Sequence, residues 1–317
     1  MSLHNFRPAW LPICPAIASS EADPTPGPVR NPGLNYSHVT NRDLVLDICA
    51  MRLDAALPKH VLLQAMNELN VRIHESLAKF FPSVAELMTV LEISNAVITG
   101  SWLLSFLLAP VEWTAKDLDI VVPGGVAGEV IHQFLQVLGY AQIKSFDSRA
   151  ALYMDDPAGL RHVDHVVTFK NDLLGTSIDV IHSTTDYAIN VVRGFHSTPV
   201  MNMLSASHLI VMFPDQTLRM YGYAHRDMTE AVRTKYAARG FTFHTVNRDL
   251  GHPCGPACPS VVRSVYHPRT CLAVPFNDQY VNINPPVAPL AKYWTAPVPC
   301  ENGACLNNIF VKMGGKE

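Results

Sequence analysis

The sequence predicts an α/β chain of the α+β type: a small mixed sheet flanked by helices, followed by an irregular Cys/Pro-rich tail. Three observations predict it. Apolar residues between positions 41 and 90 recur at helical spacing. Short β-type runs at 96–98, 117–122, 163–169 and 177–181 are bounded by Gly, Pro or Asn turns. Hydrophobic residues make up 48% of the 317 positions and charged residues 16%, a composition that supports a sizeable core and excludes a disordered chain.

In chain order, residues 1–34 are rich in Pro, Ser and Gly and read as an irregular arm. Residues 35–90 read as N-terminal helices. Leu44, Leu46, Ile48 and Met51 give a first apolar stripe, and Val61, Leu62, Met66, Leu69, Ile73 and Leu77 a second. Ser83 followed three residues later by Glu86 is a helix start. Ala96-Val97-Ile98 is then a short strand stopping at Gly100-Ser101, and 102–108 is apolar nearly all round, as in a buried helix. Residues 93–111 carry no charge and approach the length of a membrane span. Polar interruptions and the lack of a flanking Lys/Arg cluster favour a buried strand and helix, so no membrane partner is expected. Strand 117–122 ends at Pro123-Gly124-Gly125, and 128–140 is an amphipathic helix. Strands are expected at 151–154, 163–169 and 177–181, with a turn beginning at Asn171-Asp172. Helices are expected again at 186–195, 205–213 and 228–239. Residues 246–317 lose period and form the tail.

The net charge of −3 argues against a broad electrostatic grip on nucleic acid, which leaves it a less favoured partner than a small substrate. Seven cysteines do not suit a disulfide scaffold in a chain this long. The N-terminus has no continuous apolar stretch after a basic start, so the expected setting is cytoplasmic or nuclear.

The chemistry concentrates in carboxylates. Asp117 and Asp119 are two apart on a strand, so both point to one face while Leu118 and Ile120 point into the core. Adjacent carboxylates repel unless a cation lies between them, and Mg²⁺ suits oxygen donors plus phosphate. Asp179, between Ile178 and Val180, repeats the design on a later strand. Gly100-Ser101 stands where a strand meets a helix, a position that presents backbone N–H groups to phosphate.

These elements together resemble the nucleotidyltransferase superfamily, whose best known fold is the palm of DNA polymerase beta. The resemblance runs over Ile98-Thr99-Gly100-Ser101, Asp117-Leu118-Asp119-Ile120 and Ile178-Asp179-Val180. It covers roughly 95–182, and 91–245 would be the corresponding domain with its following helices. The resemblance implies Asp117 and Asp119 as ligands of Mg²⁺ or Mn²⁺, Asp179 as third ligand or general base, and Gly100 with Ser101 as the holder of a nucleoside triphosphate. It implies transfer of a nucleotidyl group to an acceptor that the sequence does not identify. Trp102 directly after Gly-Ser departs from the smaller or polar residue of many active members. That departure keeps open an alternative, an inactive member with a binding or regulatory role. A looser likeness to proteins of mushroom-forming fungi, in 195–204, 212–217 and 235–241, supplies no activity.

Other candidates are weaker. Cys254 and Cys258 have Cys-x3-Cys spacing, and His267 with Cys271 could complete a structural zinc site, with Cys300 and Cys305 lying beyond. Buried thiols are the plainer alternative. The segment Arg161-His162-Val163-Asp164-His165 looks metal-like but reads better as a solvated sheet face. Gly124-Gly125 lacks the Gly-Lys-Ser/Thr of a phosphate loop. Lys116 and Arg193 are candidate phosphate contacts. Arg226, Arg233, Lys235 and Arg239, interleaved with Asp227 and Glu230, read as a solvated helix face.

Overall fold

The computed structural model describes residues 36, 38–53, 58–147, 162–225, 228–244, 258, 260–264, 270–276, 300 and 305. The expected N-terminal arm, the expected strand at 151–154, and Arg161, Arg226 and Asp227 lie outside them.

The mixed α/β class predicted from the sequence is the class observed. Helices α1 (Asn41–Leu53), α2 (Lys59–Leu77) and α3 (Val84–Ser94) precede strand β1 (Val97–Thr99), which runs straight into α4 (Gly100–Leu108). Then come β2 (Asp117–Val122), α5 (Ala127–Val137), β3 (Ala141–Asp147), β4 (Val163–Asn171), β5 (Thr176–Ser183) and α6 (Ala188–Arg193). Strands β6 (Asn202–Leu204) and β7 (His208–Val211) follow, then α7 (Pro214–Leu218), β8 (Tyr221–Tyr223), α8 (Glu230–Ala237), β9 (Thr242–His244) and β10 (Leu272–Pro275). Eight strands form one sheet in the order β10-β7-β6-β1-β2-β5-β4-β3, while β8 and β9 pair separately. Within the large sheet β2 and β5 are parallel and the other described pairs antiparallel. Parallel neighbours need a crossover, which α5 and the β3–β4 hairpin provide.

The local signals explain the elements that position the site. Ser83 Oγ accepts the Glu86 backbone N–H at 3.3 Å and starts α3. Asn171 Oδ1 accepts the backbone N–H groups of Leu173 and Leu174, each at 3.0 Å, and shapes the turn between β4 and β5. Within the uncharged stretch 93–111, Val97–Thr99 is a buried strand and Gly100–Leu108 a largely buried helix. Among the described residues no helix is long and apolar enough to cross a membrane.

Alternation divides the sheet into two faces. Leu118, Ile120 and Val122 of β2 and Ile178 and Val180 of β5 enter the main core with Leu103 and Leu107 of α4 and Ile131 and Leu135 of α5. Val121 lies on the other face, in a second cluster with Ile189 and Val192 of α6 and Met201 and Met203. The carboxylates share this second face.

Three expectations change. Segment 205–213 is not helical: Ser205 Oγ accepts the backbone N–H groups of Ser207 (3.3 Å) and His208 (3.0 Å), folding a tight turn between β6 and β7. All four residues of β7 are buried, so the run has no amphipathic period to read. Strand β3 escaped sequence reading because its residues through Ser145 are exposed, as suits an edge strand. Part of the tail is regular: β10 pairs with β7 from Leu272↔Val211 to Pro275↔His208 and closes that side of the sheet.

Candidate active site

The parallel pairing of β2 with β5 sets Asp119 directly beside Asp179 and Asp117 beside Ser177. Register partners in a sheet project to the same side, so the early pair and the late carboxylate share one face. They do not collapse together. Among the described residues, the group of three metal-binding side chains whose ligand atoms all lie within 4.8 Å of one another is Cys258, Cys300 and Cys305.

Electrostatics single out Asp119. Burial, then Asp117, then Asp179 push its carboxyl up to about 7, against the opposing pull of Lys235 and the Ser101 backbone N–H. Asp179 is also raised, first by burial, although Thr168 Oγ1 donates to its Oδ1 at 2.7 Å and Lys144 opposes the rise. The Thr168 bond fixes one carboxylate oxygen of Asp179. The three carboxylates share one face of the sheet, but their oxygens do not gather into one three-ligand cluster.

The Gly100-Ser101 turn sits over this pair. Gly100 has φ +73° and opens α4. A Cβ placed on it would lie 1.8 Å from Asp119 Oδ2, so glycine is required both by conformation and by the approach of the carboxylate. Ser101 donates its backbone N–H to Asp119, and its Oγ lies 3.4 Å from Asp117 Oδ1. The helix start predicted to receive phosphate therefore also holds the acidic pair in place.

A cleft of about 280 Å³ has Gly100, Ser101, Asp117, Asp119 and Lys235 among its lining residues, whereas Asp179 is not one of them. Phe195, His196 and Tyr236 also line it. The His196 and Tyr236 rings lie 5.2 Å apart. Burial, assisted by Lys235, lowers His196 to about 4, so its imidazole is neutral at physiological pH. Burial raises Tyr236 to about 12, keeping the phenol protonated. The cleft thus combines uncharged rings with carboxylates and a lysine.

Lys235 is the residue the sequence concealed. Its interleaved charges read as a solvated face, yet the side chain borders the cleft and opposes Asp119. The suggested phosphate contacts Lys116 and Arg193 are not among the cleft-lining residues. His196 and Tyr236 also went unread, since an isolated ring in a sequence carries no signal for a cleft.

The remaining candidates separate. Gly124-Gly125 is a plain strand-to-helix turn, with the Gly124 backbone N–H bonded to Thr185 O at 2.7 Å. His165 is not on an ordinary solvated face. A register shift in β4 stacks it on His182, with ring centres 3.9 Å apart, and His182 Nε2 lies 3.0 Å from His132 Nε2.

The zinc expectation is corrected in its membership. Cys271 belongs to the apolar cluster under β10, where its thiol is buried and donates to Leu272 O at 3.7 Å. Cys258 instead gathers with Cys300 and Cys305 into a separate buried cluster that could bind a metal such as zinc. Cys254 and His267 lie outside the described residues.

No family model, curated protein or solved structure matches the chain.

Proposed function

We propose that the protein is a metal-dependent nucleotidyltransferase, moving a nucleotidyl group from a nucleoside triphosphate to a hydroxyl or phosphate acceptor. The observation that carries the reading is the register of Asp119 with Asp179, with Asp117 on the same face and Gly100-Ser101 above them. The cleft supports it further, because aromatic rings suit a base and a lysine beside acidic groups suits a triphosphate.

Asp117, Asp119 and Asp179 would hold Mg²⁺ or Mn²⁺. When bound, the divalent ion supplies neutralisation of the charge that develops on the transferring phosphoryl group and aligns entering and leaving oxygens. The chain's own residues do the rest. The acceptor oxygen attacks the α-phosphorus, the bond to the β-phosphate oxygen breaks, and pyrophosphate leaves. Asp179 takes the acceptor proton, its orientation set by the hydroxyl of Thr168. Lys235 attracts the triphosphate tail and turns it toward Asp117 and Asp119.

The direct test incubates the purified chain with each of four α-labelled triphosphates and Mg²⁺ or Mn²⁺. Nucleotide binding and pyrophosphate release are expected, lost in Asp117→Ala with the circular dichroism spectrum unchanged. Nucleotide binding that needs no metal and ignores Asp117→Ala would favour the alternative, a non-catalytic binding protein of the same fold.

Two further results are expected. Lys235→Ala should raise the KM for triphosphate about ten-fold with kcat little changed, as loss of a contact made equally before and during reaction requires. Steady-state kinetics read this, and a fall in kcat at unchanged KM would place Lys235 elsewhere. Metal binding should also displace the proton that Asp119 holds up to about pH 7. The Mg²⁺ concentration for half-maximal binding should therefore fall by about ten-fold from pH 6 to pH 8. A pH-independent value would remove Asp119 from the ligand set.

A further inference from the structure

Cys258, Cys300 and Cys305 come from distant parts of the tail, yet their sulfurs all lie within 4.8 Å of one another, with Cys258 and Cys305 at 3.6 Å. All three are buried. This is the spacing of thiolates around one soft ion, where metal–sulfur bonds of roughly 2.3 Å put neighbouring sulfurs close to 4 Å apart.

The surroundings suit such an ion. Ser260 Oγ accepts the Cys300 backbone N–H at 2.9 Å, fixing one ligand-bearing segment on another. The Arg263 side chain is buried, with Nη2 donating to Cys258 O at 3.1 Å and Nη1 to Val261 O at 2.9 Å. Its guanidinium also packs 4.7 Å from the centre of the Phe213 ring. Three thiolates around a divalent ion leave one negative charge, and a buried guanidinium against the same loop is placed to balance it.

We propose that Cys258, Cys300 and Cys305 bind one structural Zn²⁺, tying together the chain before and after β10. Zinc bonds to each sulfur with release of its proton, and no sulfur changes oxidation state. Cys258 precedes β10 and the other two follow it, so the ion encloses the edge strand in a clamped loop. Clamping removes freedom from the unfolded chain and so stabilises the pairing of β10 with β7. The trio leaves a fourth position for a further donor. This site is independent of the carboxylates and stands whether or not the protein transfers nucleotides.

The test is elemental analysis of the full chain purified under reducing conditions, with Co²⁺ substitution as the second readout. About one zinc per chain is expected, together with a thiolate-to-cobalt charge-transfer band. Cys305→Ser should weaken that band by about a third, in proportion to the ligands lost. Cys49→Ser, outside the trio, should leave zinc content and band intact. Should the serine variant fail to fold, Cys305→His keeps a zinc donor and should retain the metal while shifting the spectrum. Folded protein free of zinc, a cobalt spectrum without charge transfer, or a Cys258–Cys305 disulfide in non-reducing peptide mapping would each overturn the proposal.

Discussion

On the proposed function, Asp119→Asn should reduce nucleotidyl transfer by about a thousand-fold or more, because it removes one of the proposed metal ligands. The same change should stabilise the metal-free protein at pH 8. The sign follows from linkage. An Asp whose folded pKa is raised to about 7, against an ordinary 3.8, holds its proton more tightly when folded. Between those values the native state binds more protons than the unfolded chain, so stability falls as pH rises. Asparagine stays neutral and escapes this penalty. The expected gain at pH 8 is about 1–3 kcal/mol, fading toward pH 4. Denaturant unfolding at several pH values measures it. Mg²⁺ should raise the Tm of the parent protein at pH 8 and leave that of the variant nearly unchanged. An Asn variant that is active, or less stable than the parent at pH 8, would contradict the role assigned to Asp119.

Gly100→Ala should cost about 3 kcal/mol or more and abolish metal-dependent binding together. Two independent effects act at this one position. The backbone is left-handed at φ +73°, and the new methyl would sit 1.8 Å from Asp119 Oδ2 and 2.7 Å from its Cγ. The second effect needs the Asp119 carboxylate, so the cost should shrink by about 1–2 kcal/mol in an Asp119→Ala background. A double-mutant cycle reads that coupling. Strict additivity would mean that the close approach of glycine to carboxylate does not shape the site.

The legible part of the site was whatever depends on strand alternation. Asp117 and Asp119 on one face follows from their spacing alone. Their meeting with Asp179 does not, because nothing in the chain between them states which strands are neighbours; the register of β2 with β5 supplies it. Helix starts with local chemistry, such as Ser83, were readable. Strand β7 was not, since a run buried on both faces has no period, and the Ser205 turn that decides it looks like a helix cap. Lys235 is exposed, as the interleaved charges of its helix imply, but that pattern describes a helix in isolation and says nothing of the cleft it borders. In the tail, the expected zinc set included Cys271 because it is near Cys258 in sequence, whereas β10 carries it into the sheet and leaves Cys300 and Cys305 to join Cys258.

The late position of β10 also has a consequence for biosynthesis. Until residue 275 has emerged from the ribosome, the buried run His208–Val211 presents an open row of backbone donors and acceptors. A nascent or truncated chain that stops earlier is thus a template for strand addition by its neighbours. Premature termination anywhere between β9 and β10 should yield insoluble protein, even though every carboxylate of the cleft has already been translated.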